Sequence, residues 1–337
     1  EVAAAGVDFL NRRTDERPLC MVVGTFLPHC PFIVDEELFE AYRDRVPLPR
    51  LPERYFETVH PLISQWVEDR GITGIDPAIT KRVREAYYGM VTYVDRLVGS
   101  LLDCVERSGG VENTVVIYCS DHGEMAGEHG MFWKNNFFEG AVRVPLLASW
   151  PGRFEQGAVV DSIVSLVDVS STLVELAGGV PLPATRGRSL GGFLTGEGVR
   201  GWPNETCSEM HNTVSLPPGR MIRKDQWKLV HYHGDDRPML FDVERDPGEL
   251  NDLGADPAHT DVRQDLLARV KRDWDGDRVE REVNRQRTLY APYLKGWGEA
   301  TALEHSEYWQ GRNEMNQFTP PSGRSGDGHP GTKRRSS

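Results

Sequence analysis

Residues 114–124 read TVVIYCSDHGE, an apolar and β-branched run that ends in a cluster of polar side chains. The run from Thr114 to Ser120 predicts a short buried strand. Asp121 and His122 follow it directly, and Gly123 allows the backbone to turn sharply after them. A carboxylate and an imidazole that leave one strand end together can bind the same cation. The stretch is also compatible with a structural role, in which Asp121 caps a helix and His122 packs beside it.

The sequence around this strand has the pattern of an α/β domain. Apolar residues recur at offsets of three and four from Lys81 to Arg107, which predicts one long amphipathic helix that leads into the strand. A long helix followed by such a strand is typical of a mostly parallel sheet flanked by helices, which binds ligands at the carboxyl ends of its strands. Further strands are predicted at Leu19–Phe26, Val144–Trp150 and Ile163–Leu166, and a helix at Val169–Leu176.

The pattern changes after residue 200. Arg220–His233 and Met239–Val243 predict antiparallel strands joined by a turn at residues 234–236, and Asp261–Arg287 predicts a charged helix. Residues 45–62 contain four prolines and predict a surface loop. We therefore expect a larger α/β domain over residues 1–200, a small antiparallel α+β subdomain over 201–290, an aromatic segment over 291–318 and disorder over 319–337.

The composition argues against several classes of function. The net charge is −12, whereas binding to nucleic acid requires clustered Lys and Arg. No stretch approaches ~18 consecutive apolar residues, so no membrane-spanning helix is expected. The five cysteines include no C-x-x-C pair and indicate neither a disulfide framework nor a zinc knuckle. An acidic protein can still bind an anionic ester through a metal ion and a few local cations.

Two other residues are candidates for binding an anion. Lys134 ends the segment GMFWK, shortly after the strand and its polar cluster, and its ammonium could contact an ester oxygen. His29 lies in the segment PHCPF, where prolines on both sides restrict the direction of the imidazole. Each residue has an ordinary alternative, since a lysine of this kind often extends to solvent and a lone histidine is often structural.

Taken together, these motifs resemble the sulfatase family of the alkaline-phosphatase superfamily. The resemblance is carried by residues 120–153 (SDHGEMAGEHGMFWKNNFFEGAVRVPLLASWPGR) and by PHCPF at 28–32. It extends to Val167–Leu173, Gly187–Leu190, Lys228 and residues 240–253 (LFDVERDPGELNDL). Within the family, residues 127–130 and 137–140, with Trp274, Asp275 and Arg287, are most similar to choline-sulfatase-type sequences.

The resemblance implies roles for the four candidate residues. Asp121 and His122 match two ligands of a divalent cation, expected to be Ca²⁺, although the imidazole leaves Mn²⁺ or Zn²⁺ open. Lys134 matches the lysine that contacts the sulfate group. His29 matches the histidine near the bridging oxygen, a candidate for protonating the leaving group. Lys134 and His29 are thus the expected catalytic and substrate-binding residues.

The family also requires parts that this chain does not contain. Sulfatases use a Cys or Ser, converted to formylglycine, in a Cys/Ser-x-Pro/Ala-x-Arg motif, together with two upstream aspartates on the metal. None of the five cysteines fits, since Cys30 is followed by Pro31-Phe32 and Cys207 by Ser208-Glu209. The chain does not begin with Met, so we expect the formylglycine in a preceding N-terminal segment, with residues 1–200 as the C-terminal part of the catalytic domain.

The expected function is hydrolysis of a sulfate monoester in a small sulfated substrate. The more specific expectation is a choline-sulfatase-like enzyme. Two alternatives stay open. A phosphonate monoester or phosphodiester hydrolase of the same superfamily would use the same cation, because both reactions oppose a metal to anionic oxygens. A non-catalytic sulfatase-like protein would only bind. The resemblance leaves homo-oligomerisation open, and it implies a cytoplasmic location for a choline-sulfatase-like protein and a periplasmic or secreted one otherwise.

Overall fold

The structure, a computed structural model, describes the backbone of residues 1–211 and 216–300 and the side chains of these residues up to 293. The chain divides into two units, Glu1–Gln286 and Arg287–Ser337. The described helices and strands lie in the first unit, except the end of the last helix. The predicted disorder at 319–337, and the part of the predicted aromatic segment beyond residue 300, lie outside the described residues.

Helices make up most of the first half of the described chain, and strands are concentrated in the second. The α-helices are α1 Val2–Arg12, α2 Glu36–Tyr42, α3 Tyr55–Thr58, α4 Pro61–Asp69, α5 Pro77–Arg107, α6 Glu139–Val142, α7 Leu166–Leu176, α8 Gly191–Leu194, α9 Thr260–Lys271 and α10 Gly276–Ala300. The strands are β1 Val116–Cys119, β2 Leu146–Ser149, β3 Glu205–Met210, β4 Gly219–Lys224, β5 Trp227–Tyr232 and β6 Met239–Asp242. None of the helices in the described part of the chain combines the length and the apolar composition needed to cross a bilayer.

Helix α5 confirms the long helix that the periodicity predicts and extends it by one turn at its start. Asp76 caps the helix, because its carboxylate accepts a hydrogen bond from the Ala78 N–H at 2.8 Å, and Pro77 occupies the first turn. The helix packs against α1 and α2 through a buried face that includes Met90 and Val94. Strand β1 follows this helix along the chain.

Strands β1 and β2 confirm two of the predicted strands, but they pair antiparallel. Val116 lies opposite Ser149 and Cys119 opposite Leu146. The described strands of the chain pair only with antiparallel neighbours, so the parallel pairing expected from the helix–strand pattern is not seen among them. The order of elements along the chain predicts parallel pairing, but it does not specify the neighbour of a strand.

Two other strand predictions are wrong. Residues 19–26 belong to no strand, and Val22 is 90% exposed. An extended segment becomes a strand only where a neighbour supplies its hydrogen bonds. Residues 163–165 are also irregular, and α7 begins at Leu166. A capping box starts this helix, since Ser165 and Asp168 bond to each other's backbone N–H groups.

The predicted loop over residues 45–62 is wrong in its second half, where α3 and the start of α4 lie. The ring of His60 accepts a hydrogen bond from the Leu62 N–H at 3.3 Å and so caps α4. Pro61, which suggests a loop in the sequence, occupies the first turn of this helix, where the absence of an N–H has no cost.

The small antiparallel sheet predicted for the C-terminal part is present, with the strand order β3-β4-β5-β6. The stretch Arg220–His233 is not one strand but the hairpin of β4 and β5, which turns at Asp225 with a φ of +49°. Helix α9 packs on β4 and β5. The core between them consists of Ile222, Leu229, Leu240, Leu266 and Val270.

The single helix predicted over Asp261–Arg287 is two helices, α9 and α10. Buried Arg220 donates a hydrogen bond to the Val270 carbonyl at 2.9 Å, which satisfies an acceptor at the end of α9. The Asp275 carboxylate accepts one from the Arg278 N–H at 2.9 Å, which caps the start of α10. The periodic pattern continues across this break, so the sequence did not reveal it.

Candidate metal and anion site

His29 and Lys134 lie 105 residues apart in the sequence and in direct contact in the structure. The His29 Nδ1–H donates a hydrogen bond to the Cys30 carbonyl at 2.7 Å. A carbonyl oxygen can only accept, so this bond leaves Nε2 unprotonated in the neutral ring. The Lys134 ammonium donates to that Nε2. The pair therefore places a cationic Nζ next to a basic ring nitrogen.

His122 lies beside this pair, with its ring centroid 5.7 Å from that of His29. Its Nδ1–H donates to the Gly123 carbonyl at 2.8 Å, which leaves the lone pair of Nε2 available. A hydrogen bond of this kind on the second ring nitrogen is what orients metal-binding histidines. The structure therefore brings together His29, His122 and Lys134, as the sequence predicts.

Asp121 adjoins His122 and points its carboxylate to solvent. Its Oδ1 accepts the His122 N–H at 3.0 Å, and its Oδ2 lies 3.7 Å from His122 Nε2. With metal–ligand distances of about 2.0–2.6 Å, two donors at this separation can share one cation. Among the described residues, no group of three or more His, Cys, Asp and Glu side chains could hold a metal. Asp121 and His122 thus fit as two ligands of a cation but do not complete its coordination.

The backbone after His122 is held by close contact with α6. The Gly123 N–H donates to the Ala141 carbonyl at 2.8 Å. A Cβ atom at position 123 would lie 2.1 Å from the Gly140 carbonyl oxygen, a distance that requires the backbone to shift. Glycine at 123 is therefore needed for this close approach, and the approach in turn places Asp121 and His122.

A buried lysine connects α6 to the C-terminal sheet. Lys228, on β5, is fully buried, and its Nζ lies 2.8 Å from Glu139 Oε1 and 2.7 Å from Glu249 Oε1. Glu249 Oε2 accepts the Glu139 N–H at 2.6 Å. Burial raises the pKa of Glu249. Burial acts in the same direction on Glu139, but Lys228, Arg223 and Arg143 together lower the pKa of that carboxyl.

Sequence reasoning did not identify Lys228, Glu139 and Glu249 as part of the support of the site. Lys228 lies 89 residues from Glu139 and 21 from Glu249, and no spacing rule links positions so far apart. The segments that contain them do carry the family resemblance, which was the available signal. Glu124 was also missed, although its carboxylate bonds to the backbone of the loop that carries Lys134.

Comparison with known structures shows the fold. The chain superposes on the crystal structure of a phosphonate monoester hydrolase from Agrobacterium radiobacter with a TM-score of 0.70 and 26% identity, over 79% of this chain and 58% of that one. It superposes on BT1596, a 2-O GAG sulfatase, with a TM-score of 0.67 and 22% identity, over 85% and 64%. These likenesses confirm the predicted alkaline-phosphatase-like α/β fold class with a small antiparallel C-terminal sheet.

The chain belongs to the sulfatase family. The sulfatase profile matches residues 1–180, and the profile of the C-terminal part of N-sulphoglucosamine sulphohydrolase matches residues 127–274. The chain is 34% identical over 261 residues to the choline-sulfatase of Rhizobium meliloti (strain 1021), covering 74% of this chain and 49% of that protein. It thus spans about half the length of the curated relatives it matches.

Proposed function

We propose that this chain is part of a sulfuric ester hydrolase in which Asp121, His122, His29 and Lys134 form one side of the ester site. The observation that carries the proposal is the contact between Lys134 and His29, two residues far apart in sequence, beside the ring of His122. Family membership supplies the reaction class. The substrate would be a small sulfate monoester, and similarity to a choline-sulfatase makes choline sulfate the first one to test.

Lys134 would bind the sulfuryl oxygens. Its ammonium is the cationic group that faces His29, and an anionic oxygen accepts a stronger hydrogen bond from it than a neutral imidazole does. A bound ester would therefore replace His29 Nε2 as the acceptor of the hydrogen bond from the Lys134 ammonium. This exchange leaves the ring free to carry a proton of its own.

His29 would act at the bridging oxygen. Its Nδ1 proton is committed to the Cys30 carbonyl, so proton exchange with the ester takes place at Nε2. A proton given from Nε2 to the bridging oxygen as the S–O bond breaks converts an alkoxide into an alcohol leaving group. Such general acid catalysis contributes most where the leaving group is poor.

Asp121 and His122 would hold the divalent cation of the site. The exposed carboxylate and the free Nε2 lone pair fit two ligands, and the family resemblance makes Ca²⁺ the expected ion, with Mn²⁺ or Zn²⁺ compatible with the imidazole. When bound, the cation would offset negative charge on the ester oxygens. We place the formylglycine nucleophile and the other ligands in the remainder of the protein, since the chain spans about half the length of its relatives.

The leaving-group dependence of a His29→Ala variant tests the proposal in the complete protein. We expect kcat/KM to fall by about 10²–10⁴ with choline sulfate, whose alcohol leaves poorly, and by much less with 4-nitrophenyl sulfate. Lys134→Ala should lower kcat/KM by about 10²–10³ for both substrates, because the sulfuryl oxygens are common to them. Equal losses for His29→Ala on the two esters would contradict the acid role.

A phosphonate monoester hydrolase is the second candidate, favoured by the 26% identity to such an enzyme over 79% of this chain. The complete protein should be assayed on 4-nitrophenyl sulfate and on a 4-nitrophenyl phosphonate monoester under the same conditions. We expect a larger kcat/KM for the sulfate. A larger value for the phosphonate would reverse the order of the two candidates.

A further inference from the structure

The turn that carries Lys134 has an unfavourable backbone on both sides. Trp133 has a φ of +66° and Asn135 a φ of +69°, both in the left-handed region. For most residues with a side chain this region is unfavourable, and it persists only where surrounding contacts impose it. The position of Lys134 therefore depends on whatever holds this turn.

Glu124 supplies a side-chain contact of this kind. Its Oε1 accepts hydrogen bonds from two backbone N–H groups, those of Ala126 and Trp133. The first bond is 3.0 Å long, and the second closes a loop of nine residues that ends next to Lys134. The Met125 N–H donates to the Trp133 carbonyl at 2.9 Å in the same place. Both backbone groups of Trp133 are thus fixed to the segment that follows His122.

The Glu124 carboxylate is part-buried, and its Oε1 accepts hydrogen bonds from backbone N–H groups. Burial raises its pKa, against the two backbone hydrogen bonds and the charges of Lys134 and His122. It forms no group of three possible metal ligands with Asp121 and His122 in the part of the chain that the structure describes.

We propose that Glu124 is a positioning residue, which uses Oε1 to hold the left-handed turn at Trp133 and so keeps the Lys134 ammonium beside His29. This inference rests on the proposed function, because it assumes that Lys134 contacts the ester. The role requires the reach of the side chain and an acceptor oxygen. It does not require the charge.

Two substitutions separate reach from charge. In Glu124→Gln the amide oxygen stands where Oε1 stands and can still accept both N–H groups, so we expect kcat/KM within about threefold of the parent. In Glu124→Asp the charge is kept, but the oxygens are withdrawn by one carbon–carbon bond, about 1.5 Å. A displacement of that size in a positioning contact is expected to lower kcat/KM by about 10–100-fold. Glu128→Asp is the matched control in the same loop: its side chain is half exposed and lies 3.8 Å from the Arg84 guanidinium, and the change should leave kcat/KM unchanged.

A double-mutant cycle with Lys134→Ala identifies the residue through which Glu124 acts. If Glu124 acts by placing Lys134, then Glu124→Asp should have little further effect, below about threefold, once the ammonium is gone. A residue needed only for folding would lower activity by the same factor in both backgrounds. The metal content of Glu124→Asp, measured by elemental analysis, should match that of the parent protein.

The outcomes are distinguishable. An unchanged kcat/KM in Glu124→Asp, a loss in Glu124→Gln as large as that in Glu124→Asp, additive effects in the cycle, or loss of the bound metal would each overturn the positioning role. Full activity in Lys134→Ala alone would instead overturn the proposed function on which the inference rests. Lowered activity in Lys134→Ala, combined with additivity, would leave the proposed function in place and refute only the role of Glu124.

Discussion

The apolar side chains of the sheet β3–β6 are buried, whereas those of Leu147 on β2 and of two valines outside the sheet are exposed. In the C-terminal sheet Leu229 and Leu240 are fully buried beneath α9. Leu147, on β2, is 64% exposed, and Val22 and Val159, which lie in irregular segments outside this sheet, are 90% and 84% exposed. The C-terminal sheet is thus stabilised by burial of apolar side chains within the described chain. The exposed side chains of Leu147, Val22 and Val159 contribute little to the stability of the protein.

The largest effect on stability should come from the buried ion network of the C-terminal sheet. Lys228→Met removes the cation between Glu139 and Glu249 and leaves a buried carboxylate at Glu249 and a partly buried one at Glu139 without it. We expect the free energy of unfolding to fall by about 3–5 kcal/mol, measured by urea denaturation.

Lys224→Met is the matched control for this variant. Lys224 ends β4 and pairs with Asp225, whose side chain is half exposed, so its loss should cost below about 1 kcal/mol. Similar losses for Lys228→Met and Lys224→Met would show that the buried network does not stabilise this sheet.

Truncation of a leucine on each side tests the comparison directly. Leu229→Ala leaves a cavity in the C-terminal core and should cost about 3 kcal/mol, as judged by the urea midpoint. Leu147→Ala should change the free energy of unfolding by less than about 0.5 kcal/mol, because the side chain is already exposed. A large cost at Leu147 would mean that this surface is covered in solution, for example by a second molecule, and the cost would then depend on protein concentration.

A third prediction concerns pH. His129 is buried, stacks on Phe138 at 3.7 Å between ring centroids, and accepts a hydrogen bond on Nδ1 from the Tyr55 hydroxyl. Burial, with the charge of Lys228, lowers the pKa of His129 to about 4. In the unfolded chain His129 has a pKa near 6.5, so the unfolded state takes up the proton first as the pH falls. The contribution of His129 to the free energy of unfolding is therefore fully present above about pH 6.5 and is lost as the pH drops from about 6.5 to 4.

The slope of this fall should approach about 1.4 kcal/mol per pH unit from this residue. Urea denaturation of the parent and of His129→Gln between pH 7 and 4 measures it. The variant should be less stable at pH 7 and should show a weaker dependence on pH. Parallel curves would exclude His129 as the titrating group.

The smallest effect is expected at Val22. Val22→Ser should change the free energy of unfolding by less than about 0.5 kcal/mol, since the side chain is almost fully exposed. The same change should reduce the binding of a hydrophobic dye to the protein. A cost above about 1.5 kcal/mol would place Val22 in a core and remove the contrast between the two regions.

Much of the local structure follows from the sequence, and so do four of the candidate site residues, His29, Asp121, His122 and Lys134, but not Glu124 or the Lys228 network. The offsets of three and four determine α5, and the β-branched run determines β1 together with the polar cluster at its end. His29 and Lys134 are predicted from their flanking residues and the family resemblance, and the structure brings them into contact. The roles of these residues stay predictions.

Only the tertiary structure decided which segments are neighbours. It made β1 and β2 antiparallel, left residues 19–26 without a partner strand in the described chain, and joined Lys228 to Glu139 and Glu249. The reason is physical, because periodicity and propensity act within one turn or one strand. Hydrogen bonds and ion pairs between distant segments depend on how the whole chain packs. Contacts of this kind hold Lys134 and His122 in place.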